Sequence, residues 1–323
     1  REDFPRAGPE HTGDLNFPTR VVEGYHEHFL SELDQARIAE RRFTLVVDYA
    51  YGTTVEVFPG LLGALNTETV SLDAYASPGR LSRSEEEFAD GLTRLGGIVR
   101  SIDAELGLWI DPGGEVIYLV DDGGRALTPE MTQAVFVQLA LEHLGVRRVA
   151  VPVTTPVLVA DIIRRAGGEI TWTKTEHHAM MGSATEVDMV AGARGEFIFS
   201  QFMPAYDGMF AAVKLMEALA RSERHLREIT DALPPVHIKQ ERVACPWGRK
   251  GAVMRRLMEE TAREKRQLVD GVKVWNDERE WVLVIPHSDK PYFVVTVESG
   301  DPTRVDTLVQ QYARLVERWR DEV

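Results

Sequence analysis

Two α/β/α domains followed by a smaller α+β domain are the architecture that this 323-residue sequence predicts. Three observations carry the prediction. Short, wholly apolar runs such as Phe43-Thr-Leu-Val-Val-Asp48 have the character of strands buried on both faces of a parallel sheet. Helical segments alternate with these runs in the order that builds βαβ layers. The alternation starts again at Thr128, and after Leu233-Pro-Pro235 it gives way to consecutive strands flanked by helices.

Residues 1–18 are rich in Pro, Gly and charge, and read as a linker. From Arg20 to Glu40, Val21, Val22, Tyr25, Phe29, Leu30 and Leu33 recur at helical spacing. The strand Phe43–Asp48 leads through Tyr51-Gly-Thr-Thr54 into a helix ending at Leu65, then a strand Thr69–Leu72. Ser84 followed three residues later by Glu87 is a capping box for a helix reaching Leu95. Strands Leu106–Ile110 and Val116–Val120, around the turn Pro112-Gly-Gly114, complete a domain over residues 19–127.

The second domain, residues 128–237, opens with Thr128-Pro-Glu130, an N-cap with Pro at the first position of a helix ending at Leu144. Strand Arg148–Val153, helix Pro156–Ala166 and strand Glu169–Thr173 follow, then short strands at Met189-Val190 and Phe197-Ile-Phe199. Asp207-Gly208 caps a long helix to Ala220, and a further helix ends before the Leu233-Pro-Pro boundary. In residues 238–323, strands Val272–Trp275, Trp281–Ile285 and Tyr292–Val297 lie between helices Gly251–Lys265 and Pro302–Trp319.

The bulk composition bounds the function. A formal net charge of −14 disfavours nucleic acid and anionic membrane surfaces as partners, since both select an excess of Lys and Arg. No apolar run approaches the ~20 residues of a membrane helix. A single cysteine, Cys245, excludes an internal disulfide framework and suits a reducing cytoplasm. The start at Arg1, without Met or a signal-like stretch, reads as a fragment or a processed chain.

Several segments in order carry a resemblance: Val46-Val-Asp-Tyr-Ala-Tyr-Gly52, Leu106–Asp111, Val120-Asp-Asp-Gly-Gly-Arg125, Phe199-Ser-Gln-Phe-Met-Pro-Ala-Tyr-Asp-Gly208 and Val294-Val-Thr-Val-Glu298. Together they resemble domains two, three and four of the α-D-phosphohexomutase (phosphoglucomutase/phosphomannomutase) superfamily. The Arg1-Glu-Asp-Phe-Pro-Arg6 head, Val47–Thr54 and Ile110-Asp-Pro-Gly-Gly-Glu115 are also similar to the mutase-like C-terminal part of bacterial fused proteins. There a sugar-1-phosphate nucleotidyltransferase, usually a mannose-1-phosphate guanylyltransferase, comes first. On this resemblance the partners are a nucleotidyltransferase domain, in the same or a partner chain, and a hexose phosphate.

The resemblance implies sites whose charged groups are mostly replaced here. The family's magnesium loop falls on Asp111-Pro-Gly-Gly-Glu-Val116, which keeps the two carboxylates of Asp111 and Glu115 while Gly113 replaces a third. Magnesium prefers near-octahedral oxygen ligation, so two acids leave either a loosely held cation or an ordinary hairpin turn. The sugar clamp falls on Gly192-Ala-Arg-Gly-Glu196, with Ala193 and Gly195 at its glutamate and serine. Arg194 and Glu196 remain as sugar-phosphate candidates, with His178 from the loop Thr175-Glu-His-His178. The phosphate cradle falls on Ile285-Pro-His-Ser-Asp-Lys-Pro291, where Ile285 replaces an arginine and His287, Ser288 and Lys290 are candidate anion contacts.

No counterpart of the family's phosphorylated serine is found; Thr12, Ser77 and Ser183 lie in other contexts. The expectation is therefore a degenerate, non-catalytic mutase-like module acting in assembly or sugar-phosphate sensing. It would have no catalytic residue and no cofactor beyond Mg²⁺ at Asp111 and Glu115. The alternative is part of an active phosphomannomutase or phosphoglucomutase that requires a first domain.

Overall fold

A computed structural model describes residues 7–11 and 13–322. The Arg1–Arg6 head and Thr12 lie outside the described residues. The first domain runs α1 (Val21–Ser31), α2 (Gln35–Arg41), β1 (Thr44–Asp48), α3 (Phe58–Ala64), β2 (Glu68–Leu72), α4 (Glu85–Ser101), β3 (Leu106–Ile110) and β4 (Ile117–Val120). Its sheet has the order β2-β1-β3-β4, with β4 antiparallel to β3 and the other pairs parallel. The second domain repeats this plan with α5 (Pro129–His143), β5 (Arg148–Pro152), α6 (Val157–Arg165), β6 (Glu169–Thr173), α7 (His177–Ser183), β7 (Met189–Ala191), β8 (Phe197–Phe199), α8 (Gly208–Ser222) and α9 (Leu226–Asp231). Its order, β6-β5-β7-β8, is the same topology, a repeat that no sequence self-similarity announced.

The third domain consists of β9 (Ile238–Ala244), α10 (Trp247–Glu260), β10 (Lys265–Gln267), β11 (Val272–Asp277), β12 (Glu280–Pro286), β13 (Tyr292–Glu298) and α11 (Pro302–Glu322). These strands form an antiparallel sheet in the order β10-β11-β12-β13-β9. The chain is thus two α/β/α domains followed by a C-terminal sheet domain.

Local signals explain most boundaries. Ser84 and Glu87 form the complete capping box, and Thr128 accepts from the Met131 amide. The single helix expected over Arg20–Glu40 is instead two, because Asp34 caps a new helix through the Arg37 amide. His177 and His178, expected in a loop from Thr175, open the short helix α7. The strands β9 and β10 were not foreseen: β9 is polar along most of its length, and β10 spans three residues of Lys, Arg and Gln.

The first two domains share a continuous apolar core, in which Phe29 of α1 meets Phe210 of α8 edge-on at 5.1 Å. Phe202 stacks on Phe210 at 4.1 Å, and the Tyr25 hydroxyl donates to Asp207, which also caps α8 through the Phe210 amide. Both phenylalanines of the Phe199-x-x-Phe202 segment therefore serve the joint between domains. The third domain has a separate core beneath α10 and α11. It meets the second domain through a small cluster of Val153, Val157, Trp281 and Leu283.

Two buried ionisable groups complete that junction. The Lys273 ammonium, fully buried, donates to the Val153 carbonyl at 2.7 Å. It lies 3.7, 4.9 and 5.5 Å from the ring centres of Trp281, Trp275 and Trp172. Glu298 accepts the Val157 amide at the start of α6 and the Trp281 indole N–H. Burial lowers the Lys273 pKa to about 7 and raises that of Glu298 to about 7. A lysine whose folded pKa lies below its unfolded value binds fewer protons when folded, so stability rises with pH between the two values. Relative to a Lys273→Met variant, the protein is expected to gain on the order of 1–3 kcal/mol between pH 7 and 10 in denaturant titrations. Parallel stability curves would mean that Lys273 stays charged in the folded chain.

Candidate functional site

The antiparallel register sorts the third domain's sheet into two faces. Val243, Phe293 and Val295 point into the core under the helices. Lys273, Leu283 and Thr296 share the opposite face, in register across β11, β12 and β13. Ile285, Val294 and Arg242 form a second row on it, across β12, β13 and β9. One end of this open face docks on the second domain, and the other lines a cleft of about 730 Å³ between the two domains.

Five of the sequence candidates meet in this cleft: Arg194 and Glu196 from the second domain, and His287, Ser288 and Lys290 from the third. Glu196 is 2% exposed, and burial raises its pKa. One of its oxygens accepts the Arg194 amide at 2.7 Å; the other lies 3.7 Å from His177 Nε2. Gly195 carries φ +98°, and a Cβ there would stand 2.2 Å from the Ile117 carbonyl. The turn thus demands glycine where the resemblance places the clamp serine. Asp270 accepts the amide and hydroxyl of Thr175, while Glu130 and Glu176 add negative charge to the lining.

The turn between β12 and β13 is held from behind. Lys250, buried in the first turn of α10, donates to the carbonyls of His287 and Lys290 at 2.6 Å each. The Trp247 ring covers the ammonium at 3.8 Å. His287 Nδ1 accepts the Asp289 amide at 3.0 Å, so in the neutral ring Nε2 carries the proton and is the free donor.

The remaining candidates lie elsewhere. His178 is exposed on α7, 3.6 Å from Glu176, and does not line the cleft. Ser183 is buried and donates to the Met180 carbonyl, and neither it nor Ser77 lines the cleft. Asp111 and Glu115 sit on the β3–β4 hairpin, whose tip packs against the second domain: the Gly208 amide donates to the Gly114 carbonyl at 2.7 Å.

Magnesium does not fit the residues at that hairpin. Asp111 accepts three amides of its own turn, from Gly113 at 3.1 Å and from Glu115 and Val116 at 2.7 Å each. Its carboxylate thereby serves as a turn-forming acceptor, and Glu115 faces solvent. Among the described residues no group of three His, Cys, Asp or Glu side chains is placed to hold a metal.

Sequence reading missed Arg242, Gln240 and Tyr292, which also line the cleft. Arg242 and Gln240 lie on β9, where Val243 is the one fully buried residue; Val243 with Cys245 just past the strand's end was the available signal.

Residues 23–124 match the profile described as phosphoglucomutase/phosphomannomutase, alpha/beta/alpha domain II, and residues 128–237 that of domain III. The chain carries these two domains of that family. A probable phosphoglucosamine mutase of Methanopyrus kandleri is 29% identical over 96% of this chain and 71% of its own length. A phosphoglucomutase/phosphomannomutase family protein from Burkholderia thailandensis superposes with a TM-score of 0.78 at 19% identity, over 93% of this chain and 64% of that one. N-acetylphosphoglucosamine mutase of Aspergillus fumigatus, solved with GlcNAc-6P and magnesium, gives a TM-score of 0.66 at 11% identity, over 95% of this chain and 67% of that one. This chain therefore spans about two-thirds of the length of these mutase-type proteins. Among the described residues no helix is long and apolar enough to cross a membrane.

With its carboxylate engaged by three amides, Asp111 is a hairpin-forming residue. Asp111→Ala should lower the unfolding free energy by about 1–2 kcal/mol, and millimolar Mg²⁺ should leave the wild-type midpoint unmoved in thermal denaturation. A Mg²⁺-dependent rise that the variant lacks would assign the aspartate to a metal.

Proposed function

We propose that this chain is the hexose-phosphate-binding part of a phosphohexomutase, and that the sugar phosphate lies in the cleft between the second and third domains. The observation that carries this reading is the meeting of Arg194, Glu196, His287, Ser288 and Lys290, from segments about ninety residues apart, in one polar cleft. Its volume of about 730 Å³ falls within the ~300–1,000 Å³ of small-molecule sites. The cationic side chains neutralise the phosphoryl charge, and the buried Glu196 carboxylate accepts from sugar hydroxyls. Relatives named phosphoglucosamine mutase and phosphoglucomutase/phosphomannomutase support a hexose or hexosamine phosphate as the ligand class.

A second reading, binding without turnover, is favoured by the engagement of Asp111 within its own turn. On that reading the module senses or positions a sugar phosphate for an associated nucleotidyltransferase. Calorimetric titration with glucosamine 6-phosphate and mannose 1-phosphate tests what the two readings share. A dissociation constant on the order of micromolar to millimolar is expected for at least one, with unphosphorylated glucosamine and mannose silent. No heat from either phosphate would reject both readings. Conversion of hexose 1-phosphate to 6-phosphate by the full-length protein, primed with a hexose 1,6-bisphosphate, then selects the first; its absence selects the second.

A further inference from the structure

In a chain of formal net charge −14, three cations of one cleft make no ion pair among the described residues. Among the described residues, no carboxylate lies within 4.0 Å of the charged groups of Arg194, Arg242 or Lys290. Arginines elsewhere in the chain are commonly ion-paired, as Arg148 with Asp188 and Arg304 with Glu280. Four acids share the lining, and among the described residues Glu130, Glu176, Glu196 and Asp270 form no ion pair with these cations; Glu196 accepts the Arg194 amide, and Asp270 accepts the amide and hydroxyl of Thr175. Unpaired cations converging on a concave surface are an anion's counter-charge, held in place before the anion arrives.

Arg242 stands out among them because the sheet aims it. Its strand is the edge of the sheet, and pairing with Val294 turns its side chain to the open face. Its guanidinium carbon lies 5.6 Å from the centre of the Tyr292 ring. The His287 ring meets the same tyrosine edge-on at 4.6 Å. Tyr292 therefore spaces Arg242 and His287 around one aromatic platform, with the His287 Nε2 proton free for donation. Lys290 lies on the same turn, whose two carbonyls Lys250 holds. A guanidinium presents paired N–H donors that match two oxygens of a phosphate, which a lone ammonium cannot do.

We infer that Arg242 is a phosphate-binding residue, forming with His287 and Lys290 the site for the phosphoryl group of a hexose phosphate. The inference rests on the reading of the cleft given above and names the guanidinium at its centre. Arg242 comes from β9, two strands away from Ile285 in the same row, so the guanidinium enters the cleft from the edge of the sheet.

The test is calorimetric titration of the wild type, Arg242→Met, Arg242→Lys and the control Arg318→Met with glucosamine 6-phosphate, mannose 1-phosphate and inorganic phosphate. Circular dichroism and thermal melts confirm that each variant is folded; Arg242 and Arg318 are both exposed, so neither change disturbs the core. For whichever hexose phosphate the wild type binds, Arg242→Met should weaken affinity at least tenfold. Arg242→Lys should recover part of the loss, and Arg318→Met should bind as the wild type does. Inorganic phosphate should bind more weakly than the sugar phosphate and show the same dependence on Arg242. Wild-type affinity in folded Arg242→Met overturns the inference while leaving the cleft reading standing. Equal losses in Arg242→Met and Arg318→Met overturn it too, since they would report the net charge of the chain. A wild type that binds no hexose phosphate overturns the cleft reading itself.

Discussion

The candidate site depends on how one lysine and one glutamate are buried. Lys273 and Glu298 leave the third domain's sheet and end on backbone groups of the second domain, the Val153 carbonyl and the Val157 amide. An ammonium or carboxylate taken out of water costs several kcal/mol unless its bonds are replaced. Here the replacement comes from those backbone groups, from the Trp281 indole, and from three tryptophan rings around Lys273. Polar groups of this kind impose one docking geometry where an apolar patch tolerates several. The cleft is the consequence, because the undocked end of the same sheet face becomes its wall.

The two interdomain contacts differ in kind. The first two domains share one core and are stapled again by the Tyr25–Asp207 hydrogen bond and by the Gly114 carbonyl on the Gly208 amide. The third domain has its own core and a small apolar seam. Its ligand-facing turn is fixed relative to its own helix by Lys250. The β3–β4 hairpin turns one of its carboxylates inward onto its own amides. Its aspartate organises the turn, and the turn organises the joint.

Much of the fold was legible because its signals are local. Ser84 with Glu87, Thr128 before Pro129, and Asp207 before Gly208 each announce a helix start through bonds made within three residues. Buried parallel strands such as β1 and β5 declare themselves through unbroken apolar runs. The failures have physical causes as well. The strand β9 keeps one face toward the cleft, so Gln240 and Arg242 erase the apolar signature of a strand. Short α7 depends on Met180 and Ala184 packing under the second sheet, a contact that no neighbour in sequence foretells. Of the candidate residues, those in the Ala193–Glu196 and His287–Lys290 turns reach one cleft, while His178 and Asp111 are drawn to other tasks by neighbours a turn away.

Taken alone, the sequence determined the layer order, the caps and the excess of negative charge, since each follows from residue type and short-range spacing. Tertiary structure decided which charges go unpaired and which carboxylates are consumed. Whether Asp111 faces an ion or its own amides, and whether Arg242 faces a glutamate or an open cleft, depends on register and docking between segments far apart in the chain. Electrostatic partners are chosen by distance in space, and the sequence records distance only along the chain.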